Sequence, residues 1–216
     1  MEKTAPWLLP FLVLLLAFPV QAEKRWSVEL LGGLVSHART PLTIDQRGEE
    51  EIELDAKYHT RAFEPPPYYS VRIGRWEADR AWELELVHLK LFLVNRPSEV
   101  ESFSISHGYN LLMLNRAWQQ GRWIYRIGAG GVIAHPEITV SGRSLPEDRG
   151  LLDKGYDVTG PAIQISAARK FELTKKLFAT LEGKATAAYT DVPIRGGSAK
   201  GSDIAFHGLF GLGYLF

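Results

Sequence analysis

The chain has 216 residues, and its 25 lysines and arginines balance 25 aspartates and glutamates, for a formal net charge of +0 at pH 7. Without a bulk basic field or a polybasic block, a nucleic-acid partner is excluded as the expected function. Cysteine is absent, so an exported domain of this size must take its stability from a large core or from a membrane rather than from disulfides.

In chain order, the first feature is a charged start at Lys3, an apolar run from Trp7 to Val20 and a small residue at Ala22. This is the pattern of a secretory signal peptide, too short for a comfortable spanning helix. Cleavage is expected after Ala22, leaving residues 23–216 as one domain. Eight stretches with strand character follow, at residues 26–37, 68–76, 81–93, 103–115, 122–135, 156–170, 176–189 and 202–216. Most exceed the length usual in soluble sheets and approach what a tilted strand needs to cross a bilayer.

The connections alternate in length. Residues 77–80, 116–121 and 171–175 are tight, whereas 40–67, 94–102, 136–155 and 191–201 are long. Short turns at one end and long loops at the other describe an all-β, eight-stranded antiparallel up-and-down transmembrane β-barrel of the bacterial outer membrane, with both chain ends in the periplasm. The faces agree. In the last stretch Ile204, Phe206, Phe210, Leu212, Tyr214 and Phe216 fall on one side, with Asp203, His207, Gly211 and Gly213 on the other. Leu177, Leu181 and Tyr189 alternate with Thr180, Glu182 and Lys184 in the same way. A barrel in lipid turns the apolar set outward and fills its lumen with polar groups. Trp26, Trp76, Trp82, Trp123, Tyr189, Tyr214 and Phe216 are expected in the two interfacial girdles. A strand ending in Phe216 is expected to be read by the barrel assembly machinery.

One strand breaks the pattern. Glu83 and Glu85 share a face, but His88 and Lys90 have the opposite parity. All four point inward only if a bulge sits near Leu86 and Val87, and that bulge is the expectation. Otherwise His88 and Lys90 face hydrocarbon at a cost of a few kcal/mol.

An eight-stranded barrel is just wide enough to be filled by side chains, so a wide pore is not expected. Arg72 should lie opposite Glu85 as a structural pair, with Glu182, Lys184 and Gln164 in similar roles. The upper half gathers Tyr68, Tyr69, His88, Lys90, Ser104, Ser106, His135, Glu137, Asp203, His207 and His37. Imidazole, carboxylate and hydroxyl groups together can do acid–base chemistry or bind a metal, or can simply form a polar rim. His135 shares parity with Trp123 and Ile133, so it turns inward only if alternation breaks near Pro136. His107 shares parity with Ile105 and Tyr109 and is expected in the outer headgroup zone. A hydrolase arrangement would use Ser106 as nucleophile, His88 as base and Glu85 or Asp203 as orienter.

At PPPYYSVRIGRW, ELELVHLKL, SISHGYNLLMLN and RIGAGGVIAHPEITV the chain resembles the outer-membrane lipid A oxidase family over residues 65–140. The resemblance implies a membrane barrel and an oxidoreductase that converts the proximal glucosamine of lipid A to an aminogluconate unit with oxygen and a divalent cation. The family motifs fall on Pro66, Pro67, Tyr68, Tyr69, Val71 and Arg72; on His88 and Lys90; on Gly108, Asn110, Leu111 and Leu112; and on His135, Pro136 and Glu137. His107 stands where an acidic residue would be expected. On this reading His88, His135 and Glu137 hold a divalent metal ion. Lys90 and Arg72 attract the sugar phosphate, Asn110 and Tyr68 orient hydroxyls, and Tyr69 completes the substrate contacts, the partner being lipid A or lipopolysaccharide. The alternatives are a non-enzymatic structural or adhesive barrel and a lipid A deacylase-type hydrolase. N-terminal sequencing of the protein recovered from outer membranes should begin at Glu23; a start at Met1 would identify an uncleaved anchor.

Overall fold

The computed structural model describes residues 24–146, 150–151 and 154–216. The expected signal peptide and its cleavage site lie outside the described residues. The described residues form thirteen strands: β1 (Lys24–His37), β2 (Thr40–Gln46), β3 (Ile52–Ala56), β4 (Tyr58–His59), β5 (Tyr69–Glu77), β6 (Arg80–Leu93), β7 (Val100–Gln120), β8 (Trp123–Ala134), β9 (Glu137–Val140), β10 (Arg143–Ser144), β11 (Asp157–Glu172), β12 (Leu177–Ile194) and β13 (Gly197–Leu215).

Eight of them, β1, β5, β6, β7, β8, β11, β12 and β13, pair antiparallel with their neighbours, and β1 joins β13 to close the ring. They coincide with the eight expected stretches. The remaining strands build the wall upward: β2 pairs the upper part of β13 and carries β3, β4 pairs the top of β6, and β9 with β10 extends β7. Three expectations about loops are therefore corrected. Residues 40–67 and 136–155 contain strands, and residues 191–201 are no loop, because β12 and β13 stay paired as far as Ile194 and Gly197. Alternation persists through these segments, so their backbone groups are satisfied by the same ladder.

The two faces are sharply different. Phe210 is 67% exposed while its chain neighbour Leu209 is fully buried. Leu30, Leu34, Ile165, Leu181, Phe206 and Leu212 join Phe210 in an exposed apolar belt, and Glu85, Lys184 and His207 are inside. At the short-turn end, arginines lie over outward aromatic rings: Arg75 on Trp26, Arg116 on Trp82 and Arg169 on Trp123. An aromatic ring wet at one end and apolar at the other suits the headgroup level, and the guanidinium suits the water beyond it. Trp76 does not belong to this girdle: it points into the lumen, donates to Ser27 Oγ at 3.0 Å and closes the bottom with Ala81, Ala117, Ile124 and Ala168.

The lumen has two storeys. The lower one is ionic. Arg72 reaches Glu85 and Glu182 at 3.0 Å, and Arg126 reaches Glu83 at 2.7 Å and Glu29 and Glu182 at 3.2 Å. Lys184 contacts Glu85, and Ser70, Asn115 and Gln164 also donate to that carboxylate. The expected pairing of Arg72 with Glu85 holds. The upper storey keeps the expected His37, Asp203, Tyr68 and His207 inside as buried pairs, but most of it is apolar, a departure from expectation: Leu89, Leu91, Phe103, Ile105, Tyr109, Leu111, Val132 and Ile138 are buried in one cluster. Above the bilayer the outer face of the wall meets water, so burial drives apolar side chains inward as in a soluble sheet. The mouth is clamped. Gln46 Nε2 donates to the carbonyls of Val140 and Arg195, and Arg143 contacts Glu49 and the Arg47 carbonyl.

The bulge is displaced from its expected position. Register shifts between Leu89 and Leu91, where Leu89 faces Tyr109 and Leu91 faces Ile105, so the extra residues are on β7 at positions 106–108. Val87, Leu89 and Leu91 continue the inward face of Glu83 and Glu85, and His88 and Lys90 remain on the outer side. They escape hydrocarbon by being covered: His88 stacks on Tyr69, and Lys90 Nζ donates to the Glu64 carbonyl. Replacing Arg72 by Leu would strand the carboxylates around it, so it should destabilise the barrel by about 3–5 kcal/mol, measurable as a lower urea midpoint for loss of the compact form in vesicles.

Candidate functional site

The bulge on β7 creates the site. Gly108 has φ +144°, and a Cβ there would fall 2.4 Å from Asn110 Nδ2, so this position needs glycine. Ile105 and Tyr109 both point inward and are buried, yet His107 between them is exposed. The bulge breaks the alternation that sequence parity assumed. His107 is therefore outside, as expected, for a different reason.

On the outer wall His107 meets residues from the next turn of chain. Its Nδ1 lies 2.5 Å from Glu137 Oε1, and Ser106 Oγ donates to Glu137 Oε2. The His107 and His135 rings are 5.2 Å apart, and His135 meets Tyr156 edge-on at 5.0 Å. Tyr156 donates its hydroxyl to the His107 carbonyl at 3.0 Å. Each of His107, His135 and Glu137 offers one ligand-type atom, and these atoms lie within 4.8 Å of one another. His135 Nδ1 is buried without a hydrogen-bond partner. Beside His135 and Glu137 opens a pocket of about 250 Å³, lined also by Ser102, Thr139 and Ser144. Gly155 borders it with φ +71°, and a Cβ there would come within 2.7 Å of the His135 ring.

The sequence-derived candidates divide into three places. His135 and Glu137 belong to this cluster; His135 keeps the outward parity of Ile133 and does not turn into the lumen. His88, Asn110 and Tyr69 occupy the same outer wall but do not join it. His88 pairs with Asn110, which pairs with Ile133, so His88 is two strands away. Its Nδ1 meets Asn110 Oδ1 at 2.8 Å while Asn110 Nδ2 donates to the Ile133 carbonyl. That amide orientation assigns the hydrogen to Nδ1 and leaves the Nε2 lone pair buried without a partner. Lys90 is committed to the Glu64 carbonyl. Arg72 and Tyr68 are in the lumen: Arg72 in the ionic layer, Tyr68 with its hydroxyl 2.8 Å from His207 Nδ1. Neither can touch a ligand on the outer wall.

The hydrolase arrangement of Ser106 with His88 and Glu85 or Asp203 does not form. Glu85 is in the ionic layer, and Asp203 pairs inside with His37 at 2.6 Å. Sequence parity missed His107 and Tyr156 as site residues. The signal available for His107 was its neighbour: a glycine after a histidine in a long strand marks a possible bulge.

No protein-family model and no curated protein sequence matches the chain. Among solved structures, it is similar in fold to outer membrane protein AlkL in DMPC lipid bilayers, with a TM-score of 0.53 at 10% identity, covering 100% of this chain and 97% of that one. The attachment invasion locus protein Ail of Yersinia pestis gives 0.41 at 8% identity over 91% of this chain and 99% of its own. The outer membrane protease OmpT of Escherichia coli gives 0.42 at 9% over 89% and 96%. At these identities the likeness is one of fold. With the apolar belt and closed ring, the likeness to AlkL makes this chain a β-barrel of the bacterial outer membrane, with the cluster at the end of the wall opposite the short turns. Gly155→Ala should disorder the segment against His135, raising the rate of surface proteolysis near residues 150–156 on intact cells while the barrel core remains protected.

Proposed function

We propose that the protein modifies the head of an outer-leaflet lipid, with oxidation of the proximal glucosamine of lipid A as the reaction. The observation that supports this reading is the position of Ser106, His107, His135, Glu137 and Tyr156: outward, on the bilayer side of the wall, above the apolar belt. An acyl-anchored sugar keeps its chains against the belt and presents its head above it, on the face of the wall that carries the cluster. The resemblance of residues 65–140 to the lipid A oxidases adds the reaction class.

In that reaction the anomeric CH–OH of the sugar gives up two electrons and two protons to dioxygen, which becomes peroxide. Water opens the resulting lactone, and the product is heavier by one oxygen atom. A divalent cation supplies Lewis acidity and oxygen chemistry when bound; two imidazoles and one carboxylate are a donor set that suits such an ion. The pocket beside His135 and Glu137 receives the sugar, with Ser102, Thr139 and Ser144 offering hydroxyl partners. Asn110 and Tyr69, further along the same wall, are placed to meet the remainder of the head group. The buried Arg72 and Lys90 take no part in attracting phosphate.

Purified protein in air, supplied with a divalent cation and with lipid A bearing or lacking its anomeric phosphate, should add one oxygen to the form with a free anomeric hydroxyl. His135→Ala and Glu137→Ala should lower that rate by at least 100-fold. Mass spectra without any gain under all these conditions would reject the oxidase and leave a non-enzymatic outer-membrane barrel.

A further inference from the structure

We propose that His107, His135 and Glu137 are the ligands of a three-coordinate protein site for a borderline divalent transition ion, with Ser106 and Tyr156 as positioning residues. This deepens the oxidase reading, on which it rests only for the identity of the substrate. His107 takes the place that sequence reasoning gave to His88.

The donor set comes first. Two imidazole nitrogens and one carboxylate oxygen match ions such as Fe²⁺, Co²⁺ and Zn²⁺, whereas Mg²⁺ and Ca²⁺ prefer oxygen throughout. The ligand atoms already lie within 4.8 Å of one another. Each ligand also has a local reason for its position. His107 is turned outward by the Gly108 bulge. His135 and Glu137 flank Pro136 at the step from β8 to β9, which points both from one short segment. His135 Nδ1 is buried without a hydrogen-bond partner, and the pocket that adjoins His135 and Glu137 would leave room for a substrate beside a bound ion.

The supporting shell follows. Ser106 donates to Glu137 Oε2, which leaves Oε1 on the side of His107. Tyr156 makes two contacts at once, its hydroxyl on the His107 carbonyl and its ring against the His135 edge. One side chain, just before β11, thus contacts both histidines at once. Groups that orient metal ligands in this way change affinity by about 10–100-fold when removed.

The test uses the full mature chain in detergent, stripped with a chelator and titrated with Co²⁺ or Mg²⁺, with metal content and the visible Co²⁺ absorption as readouts. Wild type should take up one Co²⁺ per chain and show no competition from millimolar Mg²⁺. His135→Ala and Glu137→Ala should weaken uptake by more than 100-fold, His88→Ala should leave it unchanged, and Tyr156→Phe should weaken it by about 10-fold with a shifted spectrum. Heat-modifiable gel mobility verifies that each variant is folded. Absence of Co²⁺ uptake by wild type, or an equal loss in His88→Ala and His135→Ala, would overturn the site. If Co²⁺ binds as described but lipid A gains no oxygen, the oxidase reading fails and the site stands. If lipid A is oxidised by a His135→Ala chain that takes up no ion, the site fails and the oxidase reading stands.

Discussion

The structure depends on where charge can be buried. Hydrocarbon surrounds the belt, so the polar side chains of the wall have only the lumen to enter, and there the cost of burying an ion is offset only by close partners. Arg72, Arg126 and Lys184 stand among Glu29, Glu83, Glu85 and Glu182, with Ser70, Asn115, Gln164 and Thr180 supplying further hydrogen bonds. These groups come from β1, β5, β6, β7, β8, β11 and β12. A shift of one strand by one residue would place a charge in lipid and leave its partners unmatched, so the network fixes register around nearly the whole ring.

That same layer leaves little open space inside the barrel. The ionic storey is filled, the storey above it is packed with apolar side chains beside the His37–Asp203 and Tyr68–His207 pairs, and the mouth is clamped by Gln46 and Arg143. The bulge at residues 106–108 is one of the places where the wall departs from strict alternation, with further register shifts at Val158–Gly160 and Val100–Ser102. Without it His107 would follow Ile105 and Tyr109 into the core, and Glu137 would face no imidazole.

Much of this was legible in the sequence. The stripe ending at Phe216 and the alternation of Leu177 to Tyr189 gave the belt, the connection lengths gave the orientation, and Arg72 opposite Glu85 gave part of the ionic layer. Two things were not legible. Parity assumes an unbroken ladder, so a bulge moved from β6 to β7 left His88 and Lys90 outside and brought His107 in place of His88 beside His135 and Glu137. The polar-lumen rule also assumes lipid on the far side of the wall. Where β7, β12 and β13 rise into water the rule reverses, and Leu89, Phe103 and Ile105 could be assigned inward only once the height of each strand was known.

The clamp across the mouth has a mechanical consequence. β9 carries Glu137 at one end and, at Val140, the carbonyl that Gln46 holds from the opposite rim. The carboxylate is thus mounted on a tied arch, held by the ladder to β7 at one foot and by Gln46 at the other, and the spacing between its oxygens and the histidines is inherited from that ladder rather than from the fluctuations of a surface loop.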